Sequence, residues 1–451
     1  MPQHQMRVAI VGGGVCGLTC AVALLNEGVD VHVYEAAAKF GEIGAGIGLG
    51  LNAIRILTAL GVYDDIQERV RQENAAAKSA VSAQPTTGTN GTKTNGSHTD
   101  NDDIRGWFQY VSGTPDEEIL YEFESGERNA VGVHRATFLD ALVQRIEPAR
   151  THFCKRCTHL TREGRGVTMH FQDGTSAEAD VVLGADGIKS AVRRFVAGTG
   201  DEEADPNVKF SRTRCYRLLV PTQKAAAAGV KTDFRAKPTC FVGENKHLIT
   251  FTIRGGTMIN CVAFSSDADS DPDHYPPAAT APVEKVTVEQ VLETYDDWGP
   301  EARGLLNCAE NPTRWTINVV YPPLLPEQWV RGPVAILGDA AHGMLPHLGA
   351  GAGQGIEDGY LLGKLLGHPQ TKADNIEEVL KAYATVRQPR AQRVWEGSRK
   401  AGDIFDLREG REGASFAQMR DLWTYVWSYP LDQALEEAVA SLTTTGIFEG
   451  P

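Results

Sequence analysis

The start of the chain alternates between apolar and glycine-rich stretches. Residues 7–11 are a β-branched apolar run, glycines follow at 12–14, and residues 18–25 repeat apolar side chains at helical spacing. A second strand-like run covers residues 29–34. Strand, glycine turn, helix and strand together predict a βαβ unit.

Two later apolar runs also end in glycine. Residues 181–183 lead into Gly-Ala-Asp-Gly, and residues 334–337 lead into a longer glycine-rich stretch. Both runs predict short strands that end at tight turns. Beyond residue 360 the pattern becomes helical, with arginine-rich turns.

The middle of the chain alternates polar and apolar residues, which predicts a sheet. Residues 247–254 and 257–264 flank the pair Gly255-Gly256, a typical two-residue hairpin loop. By contrast, residues 79–103 are Ser, Thr, Gly, Asn and Asp with almost nothing to bury. That composition predicts a disordered surface insert.

Length and charge narrow the class of protein. A chain of 451 residues is too long for one ordinary core, so two domains or a large composite domain are expected. The net charge is −14 and no basic block is present, which argues against nucleic acid or an anionic membrane as the main partner. No apolar run reaches the ~18 residues of a transmembrane helix, and no leader precedes the first strand. We therefore expect a cytoplasmic protein in which an anionic substrate would need a local cationic pocket.

The eight cysteines do not form the pattern of a disulfide framework. Cys154 and Cys157 have redox or zinc spacing, but no second pair follows them. Cys16 and Cys20 lie four residues apart on the first predicted helix and are expected in the core. Ordinary reduced cysteines and no bound metal are predicted.

The first glycine cluster has the spacing of a dinucleotide-binding turn. Gly12, Gly14 and Gly17 form GxGxxG between a predicted strand and helix. The first glycine allows the turn, the second lets a pyrophosphate approach the backbone, and the third packs helix on strand. Glu35 ends the second strand, where a carboxylate accepts hydrogen bonds from ribose hydroxyls. FAD or NAD binding is predicted, with a bare structural turn as the alternative.

Glycine is in excess, at 47 residues, and its clusters accompany other candidate motifs. Clustered glycine marks backbone that turns tightly or lets a ligand approach. The further motifs are Gly41-Glu-Ile-Gly44-Ala-Gly46-Ile-Gly48, His134-Arg135 before a predicted helix, Gly184-Ala-Asp186-Gly187, and Gly338-Asp339-Ala-Ala-His342 with the run from Pro346-His347 through Gly351-Ala352 to Gly355.

In order and spacing these motifs resemble the FAD-dependent aromatic hydroxylases, and among them the salicylate hydroxylases. The likeness extends over most of residues 6–445 apart from the insert. It implies an α/β fold in which a Rossmann-like FAD-binding domain, similar to that of para-hydroxybenzoate hydroxylase, carries an inserted antiparallel-sheet substrate domain and C-terminal helices. The family binds NAD(P)H without a second GxGxxG unit, and this chain has no second unit either.

The resemblance divides the chain into discontinuous segments. FAD-binding segments are expected at 1–78, 126–205 and 313–365, substrate-domain segments at 104–125 and 206–312, the insert at 79–103, and a C-terminal helical region at 366–451.

The resemblance also assigns cofactor contacts. It implies Glu35 at the adenosine ribose, Arg135 near the pyrophosphate, Asp186 serving both FAD and NAD(P)H, Asp339 at the ribityl chain, Gly351 with Ala352 at the isoalloxazine ring, and the stretch around Gly46 passing close to the ligand. From the local pattern alone, the alternatives are a helix N-cap for Asp339, a turn residue for Asp186 and a surface arginine for Arg135.

The chemistry implied by the family leaves one task to a side chain. NAD(P)H reduces the flavin, O2 adds to give a hydroperoxide, and an electron-rich ring takes up the distal oxygen. A phenolate is a better nucleophile than a phenol, so a histidine base is useful. His347 adjoins the glycine loop expected at the flavin and matches the histidine that lies at the phenol in salicylate hydroxylases. It is the candidate base, with a structural histidine as the alternative, whereas His342 is expected to be structural.

Candidate substrate contacts lie on the predicted sheet. Arg254 ends a strand that resembles the matching strand of salicylate hydroxylases and could pair with a substrate carboxylate; the alternative is an exposed arginine before the hairpin turn. Phe251 on the same strand is a second candidate. Arg217 is either a substrate contact or a cation at the core edge. Leu218 stands where the family usually has glycine after Tyr-Arg, so this pocket wall differs.

The predicted function is a NAD(P)H-consuming FAD monooxygenase of a small phenolic acid, in its sharpest form salicylate to catechol with release of CO2. A larger phenol, hydroxylated or dearomatised, is the rival substrate class because of Leu218 and the insert. A flavin-binding protein without turnover is the alternative from another class. The expected partners are an aromatic substrate, O2 and NAD(P)H, in a monomer or homodimer.

Overall fold

The computed structural model describes most of the chain. The described residues are 6–40, 46–82, 103–104, 107–124, 130–164, 166–199, 205–267, 275–279 and 283–450. Most of the insert predicted at 79–103 lies outside these ranges, and the helix before it continues to Ser82.

The bounds of the elements follow the chain. The strands in the described residues are β1 (Arg7–Val11), β2 (Asp30–Tyr34), β3 (Gly46–Gly50), β4 (Asp103–Ile104), β5 (Trp107–Ser112), β6 (Ile119–Glu124), β7 (Ala130–His134), β8 (Thr151–His152), β9 (Cys157–Glu163), β10 (Gly166–Phe171), β11 (Ser176–Ala179), β12 (Val181–Gly184), β13 (Val208–Pro221), β14 (Thr239–Gly243), β15 (Lys246–Ile253), β16 (Met258–Ser266), β17 (Val283–Lys285), β18 (Glu310–Val320), β19 (Val330–Arg331) and β20 (Val334–Ile336). The α-helices are α1 (Val15–Asn26), α2 (Leu51–Ala59), α3 (Tyr63–Ser82), α4 (Arg135–Val143), α5 (Ala191–Ala197), α6 (Thr222–Ala227), α7 (Val288–Thr294), α8 (Pro300–Asn307), α9 (Asp339–His342), α10 (Gly351–Leu366), α11 (Ile376–Phe405), α12 (Gly410–Gly413), α13 (Gln418–Trp427) and α14 (Leu431–Thr444).

A mainly parallel sheet forms the core of the first domain. Among the described residues its order is β19-β20-β12-β1-β2-β8, and β1 pairs in parallel with both β2 and β12. Val8 and the three residues after it are buried, as expected for a central strand covered on both faces. With α1 between β1 and β2, the predicted βαβ unit and the Rossmann-like domain are confirmed.

A larger, mostly antiparallel sheet forms the second domain. Its order in the described part of the chain is β17-β18-β13-β16-β15-β14-β5-β6, with β14 and β5 paired in parallel. The predicted hairpin is present, but its loop has four residues, 254–257, and not two, because Ile253 pairs with Met258 and Arg254–Gly256 form a turn. β18 continues to Val320, so this sheet extends beyond the boundary predicted at residue 312.

The two faces of the antiparallel sheet pack against different layers. Leu248 belongs to an apolar core with Val291 of α7 and Leu305 of α8. Ile249, the next residue, packs with Leu348 and with residues of α11 such as Phe405. The alternation of β15 therefore turns one face toward the loop before α10, where the third glycine motif lies.

Glycines in α10 let it approach α1 closely. Gly355, Gly359 and Gly363 repeat every four residues along the face that meets α1. A Cβ at Gly359 would lie 2.9 Å from the backbone nitrogen of Cys20, so any side chain there would push the helices apart. Part of the glycine excess, including Gly355, thus serves helix packing.

A buried ionic cluster joins α10 to α11. Glu357 and Asp358 of α10 pair with Arg387 at 2.6 and 2.8 Å, and Arg390 lies 3.2 Å from Glu357. His342, predicted to be structural, joins the cluster through Asp358 at 2.6 Å. Each charged group in the cluster is matched by an opposite charge, as burial requires.

Acid should weaken this cluster. Burial alone would raise the pKa of Asp358, but His342 and Arg387 bring it down to about 2. Because this pKa is below the ~3.9 of an unfolded aspartate, the contribution of Asp358 to stability is complete above about pH 4 and is lost as the pH falls toward 2. We expect denaturant unfolding to show that the free energy of unfolding falls less between pH 4 and pH 2 for Asp358→Asn than for the unmodified protein. An equal loss would mean that Asp358 is protonated in the fold.

Two expectations from composition can be compared with the structure. The eight cysteines, all within the described ranges, are free thiols, as predicted. None of the helices in those ranges combines the length and the apolar character that crossing a bilayer requires.

Candidate active site

The turn between β1 and α1 leaves open space in front of Gly14. Gly12 has a φ of +107°, and a Cβ there would overlap the carbonyl oxygen of Ala185. A Cβ at Gly17 would overlap the carbonyl oxygen of Gly12. A Cβ at Gly14 would meet nothing within 4 Å. The first and third glycines therefore serve backbone packing, and the second faces space of the kind that a pyrophosphate needs.

Glu35 and Arg135 lie beside this turn. The Glu35 carboxylate accepts a hydrogen bond from the backbone N–H of Gly13 at 2.7 Å. Arg135 is the first residue of α4. Burial raises the pKa of the Cys16 thiol in α1, and the charge of Arg135 opposes that rise, so its guanidinium lies near the turn. A carboxylate that can accept hydrogen bonds from hydroxyls and a cation suited to phosphate thus lie near one turn.

Asp186 is engaged at the start of α5. Its carboxylate accepts hydrogen bonds from the Ser190 hydroxyl and from the backbone N–H groups of Ala191 and Val192. Burial raises the pKa of Asp186 in spite of these hydrogen bonds. The residue therefore closes a turn and caps a helix, and its contact with FAD or NAD(P)H stays a prediction.

Arg193 links the second glycine motif to the third. It is fully buried and forms an ion pair with Asp205 at 2.8 Å. It also donates a hydrogen bond to the carbonyl oxygen of Ala340 at 2.8 Å. The start of α9, which carries Asp339, is therefore held by a buried side chain for which the sequence predicted no role.

Asp339 and Gly351 face a common space. Asp339 is exposed, although the strand before it is buried, and its carboxylate makes no hydrogen bond or ion pair within the described residues. A Cβ at Gly351 would lie 4.0 Å from Asp339 Oδ1, and one at Gly349 would meet nothing within 4 Å. Ala352, the next residue in α10, is half-buried. An open carboxylate beside glycine backbone fits the hydroxyls and flat ring of a flavin.

The stretch around Gly46 borders the antiparallel sheet. Gly46 begins β3 and pairs with His134. A Cβ at Gly46 would lie 3.3 Å from the ring of Phe251, whereas one at Gly48 would meet nothing within 4 Å. Backbone of this stretch thus packs on the sheet face that carries Phe251 at Gly46 and borders open space at Gly48.

The candidate base, in the loop before α10, packs on that sheet face. His347 packs against His247 of β15, with ring centroids 5.0 Å apart, and against Phe264 of β16 at 5.2 Å. Gly402 of α11 covers it from the other side, because a Cβ there would lie 2.5 Å from the His347 ring. Burial lowers the pKa of His347 to about 3. His347 is therefore a buried, neutral imidazole.

The three candidate substrate contacts are not brought together. Arg217 and Phe251 lie on the same face of the sheet as His247. Cys215 and His247 both pair with Phe264, so their side chains point to the same face. Side chains alternate along a strand, so Arg217, two residues after Cys215, and Phe251, four residues after His247, also point to that face. Arg254 lies beyond the strand end, exposed, with a φ of +52°. Arg254 follows His247 by seven residues, which corresponds to about 23 Å between their Cα atoms along an extended strand. It matches the alternative of an exposed arginine at the turn.

Several residues of the site were missed from the sequence. They are His247, Asp406 at the end of α11, Arg193 and the pair Glu357 and Arg387. A charged or imidazole side chain inside an otherwise apolar pattern was the available signal, since such groups are rarely buried without a partner.

A Rossmann-like domain with a glycine-rich turn beside an antiparallel sheet is typical of a dinucleotide-binding protein. The comparisons give the family. Residues 5–211 and 309–398 match the FAD binding domain family, and the chain belongs to it, among the FAD-dependent aromatic hydroxylases. FAD is the cofactor, and NAD(P)H is the reductant in enzymes of the salicylate hydroxylase type.

Individual relatives are similar over nearly the whole chain. Salicylate hydroxylase of Pseudomonas putida is 36% identical over 446 residues, which cover 96% of this chain and 94% of that protein. The 6-methylsalicylate 1-monooxygenase atA of Aspergillus terreus is 33% identical over 448 residues, covering 97% and 92%. A solved salicylate hydroxylase substrate complex has a TM-score of 0.76 at 29% identity, covering 96% of this chain and 98% of that one.

Proposed function

We propose that this protein hydroxylates a small phenol, with a 2-hydroxybenzoate such as salicylate as the favoured substrate and catechol and CO2 as products. The observation that carries the proposal is the buried pair formed by His247 of β15 and His347 of the loop before α10. The similarity to salicylate hydroxylase over 96% of the chain supports the same class of substrate.

The glycine motifs would hold the cofactor. The proposed contacts are Glu35 at the adenosine ribose, Gly14 and Arg135 at the pyrophosphate, Asp339 at the ribityl chain, and Gly351 with Ala352 at the ring, with Asp186 and Gly46 as further contacts. When bound, FAD supplies electrons from NAD(P)H and delivers one oxygen atom of O2 to the ring carbon.

The side chains on the sheet face would prepare the phenol. Phe251 and Phe264 offer apolar walls that keep water from the reacting ring. The ring hydroxyl must lose its proton before the ring is electron-rich enough to react, and a buried imidazole nitrogen is suited to take it. Arg217, on the same face, is the proposed ligand of the carboxylate in place of Arg254.

A larger phenol without a carboxylate is the second candidate. Two observations favour it: Arg254 lies at the far end of β15, and the Arg217 guanidinium already stacks on the Trp315 ring at 4.3 Å. A cytoplasmic location and a monomeric or homodimeric state stay predictions.

A screen of phenols tests the proposal. The FAD-loaded protein is supplied with NADH or NADPH and O2, and reductant loss, hydrogen peroxide and ring products are followed together. We expect salicylate to stimulate NAD(P)H oxidation with catechol and CO2 formed in proportion. Stimulation only by bulky phenols would select the second candidate. Benzoate is the matched control, since it lacks the hydroxyl, and an equal response to it would contradict a role for phenol deprotonation.

A further inference from the structure

One face of the antiparallel sheet is closed at one place and open further along. His247 and Phe264 are buried on this face. Arg217, Phe251 and Val262 lie on the same face but are only half-buried. The opposite face of the same strands, β13, β15 and β16, contributes to a buried apolar core. The half-buried stretch therefore has room beside it that the rest of the sheet lacks.

Asn260 is the buried polar residue of this stretch. It lies opposite Phe251 in β15 and opposite Leu219 in β13. Its side chain is covered in part by β3, because a Cβ at Gly46 would lie 3.6 Å from Asn260 Cγ. Asn260 is only 6% exposed, and its carboxamide makes no hydrogen bond to any described residue. Buried amides are nearly always hydrogen-bonded, so this one indicates a partner from outside the chain.

The cation of Arg217 lies beside this amide. Arg217 pairs with Val262, two residues from Asn260, so the two side chains are diagonal neighbours on one face. Diagonal neighbours have their Cα atoms about 7–8 Å apart, which a long side chain can bridge. Arg217 pairs with no carboxylate among the described residues. Its guanidinium stacks on the Trp315 ring at 4.3 Å, and stacking uses the flat face of the group and not its N–H edge.

A carboxylate is the group that can satisfy both side chains. It carries the negative charge that Arg217 lacks a partner for, and guanidinium–carboxylate pairs are among the strongest hydrogen-bonded contacts in proteins. Its second oxygen can accept a hydrogen bond from the Asn260 amide, which has two N–H donors. The ring of the same ligand would lie against Phe251, the residue opposite Asn260.

We propose that Asn260 and Arg217 form one subsite for a carboxylate carried by the aromatic substrate, in which Arg217 supplies the charge and Asn260 Nδ2 donates to a carboxylate oxygen. The inference rests on the proposed function and makes Asn260 a residue that determines specificity. A phenol without a carboxylate leaves the Arg217 charge unpaired, so the subsite favours the acid over a neutral phenol of the same size.

A change of charge at residue 260 tests the subsite. Salicylate and the neutral salicylamide are titrated calorimetrically into FAD-loaded Asn260→Asp without NAD(P)H, so that nothing turns over. We expect the Kd of salicylate to rise about 100-fold, because two carboxylates then face each other. The Kd of salicylamide should change less than about 3-fold, because the new carboxylate can accept its amide N–H. The matched control is Asn318→Asp on β18, where the carboxamide already accepts a hydrogen bond from the Ala279 backbone at 3.2 Å; both affinities should be kept.

A second variant removes the hydrogen bond without adding charge. Asn260→Leu should raise the Kd of salicylate about 10-fold or more, as for loss of a hydrogen bond to a charged group. Benzoate, which has the carboxylate but no hydroxyl, should weaken in parallel. The flavin-to-protein absorbance ratio verifies that each variant is folded. Unchanged salicylate affinity in both variants would overturn the proposal and leave water as the partner of the amide. Equal weakening of salicylate and salicylamide by Asn260→Asp would also overturn it.

Binding and turnover distinguish this inference from the proposed function. Salicylate that binds with the expected dependence on residue 260 but is not hydroxylated contradicts the proposed function alone. Hydroxylation of salicylate with affinities that do not respond to the two substitutions contradicts the subsite alone. A protein that binds neither salicylate nor benzoate contradicts both.

Discussion

Methionine in place of Arg387 is expected to lower the free energy of unfolding by about 3–5 kcal/mol. The Arg387 side chain is fully buried between Glu357 and Asp358, at 2.6 and 2.8 Å. A methionine side chain has a similar shape to the aliphatic part of arginine but no charge, so the buried carboxylates of Glu357 and Asp358 lose a counterion. Removing one partner costs more than the intact cluster contributes, because the charges left behind stay desolvated. Denaturant unfolding of the FAD-loaded protein measures the change.

Arg393→Met is the matched control for this prediction. Arg393 lies on the same helix, is exposed, and stacks on the ring of Tyr425 at 4.2 Å. Its replacement should change stability by no more than about 1 kcal/mol, since an exposed cation over a ring contributes little. Equal losses in the two variants would show that the buried cluster is not the source of the effect. Asp358→Asn combined with Arg387→Met should recover part of the loss, because it removes the carboxylate that Arg387 had paired with and leaves the Glu357–Arg390 ion pair intact.

The fold was largely predictable because its signals are local. The GxGxxG turn, the apolar runs and the Gly255-Gly256 hairpin each lie within a few dozen residues, and each was found in the structure where it was expected. The order of the three glycine motifs then predicted that the FAD-binding domain is assembled from separate segments of the chain. Gly355, at the end of the third motif, packs against Cys16 of α1, and the sequence cannot distinguish a glycine that faces a ligand from one that faces a helix.

The candidate site was predictable only in part because it is assembled across long separations. His247 and Asp406 are 159 residues apart, and no spacing rule connects a strand residue with the end of a distant helix. Arg254 illustrates the opposite case. Its place in a family-like strand suggested a pocket residue, but the strand ends one residue earlier and the left-handed turn takes the side chain out of the alternation. The pairing register of the strands decides where a strand ends and which way its side chains point, and this register cannot be read from the sequence alone.

Valine in place of Gly14 is expected to abolish FAD retention without unfolding the protein. The backbone of Gly14 is extended, with a φ of −79°, so valine brings no strain there. Because a Cβ at Gly14 meets no protein atom within 4 Å, the new side chain enters only the space proposed for the pyrophosphate. An overlap that costs about 3 kcal/mol would weaken FAD binding by roughly 100-fold. The flavin-to-protein absorbance ratio and titration of the apoprotein with FAD measure the loss.

Two other glycines make this experiment discriminating. Gly166→Val in β10, where the nearest atom to a Cβ is 3.7 Å away, should retain FAD and stability. Gly17→Val should instead destabilise the apoprotein, because its side chain would overlap the Gly12 carbonyl oxygen. If Gly14→Val binds FAD normally, the pyrophosphate does not cross this turn. If it loses stability as Gly17→Val does, Gly14 serves packing as well, and the division of roles within the glycine turn is wrong.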